Sequence, residues 1–116
     1  MVPSGRRSGS VAKSLRKFLA DSKRLASWLD QERRSLEERD AHLSHWGSPG
    51  NHLAVSIGYD EVSGEMHVTA DGHLTIHVER GVEEEPLLST STAVSDENGL
   101  KRFYDKFRDT ILGDLS

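Results

Sequence analysis

The sequence predicts an α+β fold: a long N-terminal helix, a three- to four-stranded antiparallel β-meander and a C-terminal amphipathic helix. Three observations carry this expectation. Apolar residues recur at alternating four- and three-residue spacing from Val11 to Trp46. The period then drops to two beyond residue 51, and a helical apolar arc returns from Leu100 to Ile111.

The first pattern consists of Val11, Leu15, Phe18, Leu25, Leu29, Leu36, Leu43 and Trp46, interrupted by Ser22, Glu32 and Arg39. No Gly or Pro falls between Ser10 and Trp46, so residues 10–46 read as one helix, about 55 Å long at 1.5 Å per residue. Ser10 is the expected N-cap, its hydroxyl accepting from an orphaned backbone N–H. Gly47, Pro49 and Gly50 are the expected stop. A compact chain of this length has a radius of gyration of only about 13 Å, so the helix is expected to project as an arm. Heptad spacing sustained this far belongs to a coiled coil or a partner-binding helix. The eight apolar residues are therefore the expected seam for a homodimer or another protein. Residues 1–9, small, basic and Gly/Ser-rich, are expected to form a disordered tail.

Residues 51–116 are expected to form a small α+β domain. Leu53, Val55, Ile57 and Tyr59 alternate with His52, Ala54, Ser56 and Gly58, the pattern of a half-buried strand, and residues 60–64 suit a hairpin connection. The following hairpin allows its register to be argued. A two-residue Asp71, Gly72 turn would set Val68 opposite Thr75 and His67 opposite Ile76, mixing polar and apolar side chains on both faces. A three-residue loop of Ala70, Asp71 and Gly72, with Gly72 left-handed, pairs Val68 with Leu74 and Met66 with Ile76 and keeps one face apolar. Residues 81–86 read as an acidic loop, and Ser- and Thr-rich residues 87–94 as a further strand. Ser95 or Asp96 then caps a last helix. Leu100, Phe103, Tyr104, Phe107 and Ile111 share its apolar arc, and Lys101, Arg102, Asp105, Lys106 and Asp109 lie opposite.

Composition narrows the classes further. With 34% hydrophobic and 29% charged residues, the chain is lean for an autonomous globule, which favours burial of apolar surface by another chain. The lack of cysteine excludes disulfides, thiolate metal sites and cysteine nucleophiles. No apolar run approaches the roughly 18 residues of a membrane span, and residues 1–10 lack the apolar stretch of a secretory signal, so a soluble, cytoplasmic protein is expected. Net charge is −4, unevenly spread: residues 1–34 carry nine Lys or Arg against three acidic residues, a net of +6, and the remainder carries −10. On the long helix Lys13, Arg16, Lys17, Lys23 and Arg24 point away from the stripe. They are candidate contacts to nucleic acid or another anion, set against the plainer reading of a solvated helix face. No aromatic interleaves them, which disfavours single-strand recognition, and contact with a membrane surface is not expected.

All six histidines lie between residues 42 and 77. In the preferred register His67, His73 and His77 share the polar face and, with Glu65, are candidate metal ligands; a merely polar sheet face is the plainer reading. His42, His45 and His52 form a second grouping. Neither has the His-Glu-x-x-His spacing of a metalloprotease, and the chain holds no glycine-rich phosphate loop and no nucleophile elbow. The expected function is a non-enzymatic protein-interaction or regulatory module, without a cofactor, that self-associates or binds a partner through its long helix. The alternative is a nucleic-acid-binding protein that uses the basic face of that helix, Lys13, Arg16, Lys17, Lys23 and Arg24; the order helix, meander, helix is similar to that of nucleoid-associated proteins at the level of fold alone, with no motif in common. A metal-dependent enzyme on the histidine face ranks third.

Overall fold

The computed structural model describes residues 14–48, 50–82 and 85–113. The expected tail over residues 1–9, the Ser10 cap, Val11 and Lys13 lie outside the described residues. Helical residues 14–20 form α1, and α2 spans Ser22–Glu37. The expected 37-residue helix is thus broken at one point and cut short at another.

The break is at Asp21, whose carboxylate accepts from the Arg24 backbone N–H at 3.1 Å and caps α2. The chain turns there. The Phe18 and Trp28 rings lie 5.9 Å apart, whereas ten residues along one straight helix separate them by about 15 Å. The end of α2 is a Schellman-type closure made without glycine. Ala41 N–H donates to Leu36 O at 2.9 Å and Asp40 N–H to Glu37 O at 3.1 Å, while Asp40 takes a left-handed φ of 61°. Asp visits that region more readily than most residues, so the stop came before Gly47.

Residues 42–48 are consequently a strand and not helix. Strands β1 (His42–Ser48), β2 (His52–Tyr59), β3 (Val62–Thr69), β4 (His73–Arg80) and β5 (Leu88–Ala93) form one antiparallel sheet in the order β1-β2-β3-β4-β5. There are five strands where three or four were expected, because β1 pairs with β2 from His42↔Gly58 to Ser48↔His52. The connection between β2 and β3 is also tighter than residues 60–64. Tyr59 pairs with Val62, and Asp60, at φ 55°, turns the chain. Between β3 and β4 the expected register holds: Val68 pairs with Leu74, Met66 with Ile76, and Gly72 has φ 93°. Helix α3 (Glu97–Leu112) is capped by Asp96, which accepts from Gly99 N–H at 2.8 Å.

All three helices lie on one side of the sheet, over the apolar face built by Leu53, Val55, Ile57, Met66, Val68, Leu74, Ile76 and Val78. Helices α2 and α3 run side by side in the same direction. Arg24 meets Glu97 at 2.7 Å, Trp28 meets Tyr104 edge-on at 5.1 Å, and Glu32 meets Arg108 at 3.1 Å. Gly64 lets α3 approach closely, since a Cβ there would stand 2.9 Å from Phe107 Cε1. Among the described residues no helix covers the opposite face of the sheet.

Candidate functional site

Strand parity sorts the face opposite the helices into short polar rows. One row runs Trp46, Ala54, His67, Thr75 and Ser91 across the five strands, and the next runs Ser44, Ser56, Glu65, His77 and Ser89. His52 stands beside the first row, at the start of β2. Trp46 is 45% exposed and meets His67 edge to face at 6.0 Å.

Within this face Glu65, His67 and His52 form a hydrogen-bonded chain. Glu65 Oε1 lies 2.9 Å from His67 Nε2, and His67 Nδ1 lies 3.2 Å from His52 Nε2. An ionised glutamate only accepts, so His67 donates its Nε2–H to Glu65 and its Nδ1 accepts from His52. A separate pair joins His77 Nε2 to Glu79 Oε1 at 2.7 Å. Ser56, Ser63, Thr75 and these two His–Glu pairs line an open depression of about 440 Å³. Asp71, in the loop after β3, has its carboxyl held below the usual range by the Thr69 hydroxyl and the His73 backbone N–H.

The face brings together only part of what the sequence suggested. His67 engages Glu65 and His52, His77 engages Glu79, and His73 lies 3.5 Å from Ser91. Among the described residues no group of three or more His, Asp or Glu could hold a metal ion. Sequence reasoning did not single out Trp46 and His52 as neighbours of His67. Period-two parity already put His52 on the polar face of β2, but Trp46 joined it only once residues 42–48 formed a strand.

The other expected residues lie elsewhere. Leu15, Phe18, Leu29, Leu36 and Leu43 are buried in this chain's own core, and Leu25 packs against it half-buried. Of the basic residues, Arg16, Lys17 and Lys23 are exposed, and Arg24 is paired with Glu97. His42 and His45 lie on the edge strand β1. There His45 faces a groove of about 320 Å³ between α1, α2 and the sheet, also lined by Leu19, Leu25, Ala26, Leu29 and Trp46.

Between α2 and α3 the Tyr104 hydroxyl is fully buried and makes no well-formed hydrogen bond among the described residues, although the Glu32 carboxylate lies close enough to act on it. Burial, and then the neighbouring Glu32 carboxylate, push its ionisation upward. Burial alone would lower Arg108, but hydrogen bonds to Glu32 and Asp109 outweigh it and hold the guanidinium more firmly charged. These groups clasp α2 to α3. Comparison of the chain with known protein families, curated proteins and solved structures finds no match in any of the three.

Proposed function

We propose that the protein is a non-enzymatic interaction module that takes an extended segment of a partner protein along the free edge of β1. The observation that carries this reading is the chemistry of that edge. Among the described residues β1 has a neighbouring strand on one side only, six of its seven residues are exposed, and none is charged in the way of Lys, Asp or Glu or is a proline. Edge strands are ordinarily blunted by such residues. The two sides of an added strand would also find different surroundings: the groove with Leu25 and Ala26 on the helical side, and Trp46 on the open side. Main-chain hydrogen bonds then supply affinity, and alternate side chains supply selectivity. The described residues hold no buried charged side chain, which also favours a binding role over proton-transfer chemistry.

A photo-crosslinking residue at His45, with Ser91 on the opposite edge strand as the comparison, tests this reading in the source cell. A discrete heterologous adduct from position 45, displaced by excess parent protein but not by a Trp46→Ser, Leu25→Ser variant, supports it. Equal labelling from both edges, no adduct from position 45, or an adduct consisting only of a second copy overturns it.

A further inference from the structure

We infer that His52 and His67 form a two-histidine site for a late first-row divalent cation, copper(II) foremost. The ring planes are only 9° apart and the centroids are 5.4 Å apart. That separation is nearly the 3.2 Å gap between His52 Nε2 and His67 Nδ1 with one ring radius added at each end. The rings therefore meet edge to edge in almost one plane, nitrogen facing nitrogen, and are not stacked face on face. Two imidazole nitrogens on one metal at about 2.0–2.1 Å stand about 2.9–3.3 Å apart for right-angled to tetrahedral ligation. The observed gap lies inside this interval, and each ring has to turn from its head-on alignment so that both lone pairs meet one cation placed off the N–N line.

Glu65 supplies the second half of the argument. It accepts from His67 Nε2–H at 2.9 Å, which leaves the Nδ1 lone pair directed at His52. A carboxylate on the far nitrogen of a ligating histidine is the recurrent support that fixes its tautomer and raises its basicity. On the other ring, the proton that His52 now gives to His67 moves to His52 Nδ1, freeing Nε2 with no net change in charge. The remaining coordination positions open to solvent and take water. Two imidazoles with oxygen donors suit copper(II) or nickel(II), and copper(II) binds most tightly of this series. His77 is held by Glu79 and His73 lies beside Ser91, so neither belongs to the pair.

Trp46, edge-on to His67 at 6.0 Å, makes the site observable, because a bound paramagnetic ion at that range quenches its emission. The full chain is titrated with copper(II), nickel(II) and zinc(II) while calorimetry and tryptophan emission are recorded. The expected result is a single equivalent of copper bound more tightly than nickel or zinc, with quenching that disappears in Trp46→Phe although the binding heat remains. His52→Gln and His67→Gln should each weaken copper at least tenfold, and Glu65→Gln about tenfold. His73→Gln and His77→Gln should leave it unchanged, and circular dichroism confirms that each variant is folded. Copper affinity equal to the parent in both His52→Gln and His67→Gln, or the same loss in His73→Gln, overturns the site and leaves only diffuse affinity for surface histidines.

Discussion

Replacing Gly64 by alanine probes the contact that sets α3 onto the sheet. A Cβ at this position would stand 2.8 Å from the His77 carbonyl oxygen and 2.9 Å from both Phe107 Cε1 and Val78 Cγ2. All three distances are too short for a real methyl group, and the carbonyl cannot swing aside as a side-chain tip can. Overpacking of this kind costs about 1–3 kcal/mol. Alanine recovers about 0.5–1 kcal/mol, because glycine loses more backbone freedom on folding. With three contacts below 3.0 Å at once the cost falls in the upper half of its range, and the net expectation is a loss of about 1–2.5 kcal/mol, or roughly 4–10 °C in Tm for a chain of this size. Urea denaturation followed by far-UV circular dichroism measures the loss directly. Phe107→Leu removes one of the three obstacles, so the alanine should cost less in that background, with a coupling of about 0.5 kcal/mol or more. A Gly64→Ala protein as stable as the parent, or one that loses the same amount in both backgrounds, refutes the close approach of α3.

Four further outcomes are expected. Gly72→Ala should lose about 1 kcal/mol for its left-handed φ and more for the Val94 carbonyl oxygen 2.5 Å from the new Cβ; a change under 0.5 kcal/mol by the same denaturation assay, about the size of an ordinary surface substitution, would contradict it. Tyr104→Phe removes a buried hydroxyl that makes no well-formed hydrogen bond among the described residues and should be neutral or stabilise by up to about 1 kcal/mol, whereas a clear loss in Tm would show that the hydroxyl is bonded to the neighbouring Glu32 carboxylate. Leu29→Glu places a carboxylate at a position only 1% exposed and should abolish the helical signal; a folded variant of lower mass than the parent by light scattering would instead restore the helical seam. Thr69→Val removes the strongest support of the Asp71 carboxylate and should raise its pKa toward the ordinary 3.8, read by NMR titration, and an unchanged midpoint would refute that assignment. Because Asp71 is lowered in the folded state, its contribution to stability is present above 3.8 and is lost as pH falls through the folded value.

Local chemistry alone determined much of this protein. Period-two alternation from Leu53 to Tyr59, the choice of register that puts Met66 against Ile76, the left-handed Gly72 and the apolar arc of α3 all follow from rules that act over a few residues. The polar face carrying Glu65, His67 and His77 follows from the same parity. What only the tertiary structure decided is the fate of residues 21–48. Leu43 and Trp46 are three apart and satisfy a helix, and the intervening Ser44 and His45 satisfy a strand; pairing with β2 settles the matter by giving the backbone a ladder and Leu43 a place in the core. Likewise Asp21 and Asp40 are tolerable helix residues, and they become a cap and a left-handed closure because the sheet must be covered by Leu15, Phe18, Leu29 and Leu36 of this same chain. A 37-residue arm would have left that face of the sheet exposed to water. Burial of the face by the folded-back helices is the larger free energy, it is available only in three dimensions, and it is what puts the described helices on one side of the sheet and sets Trp46 beside His67 on the other.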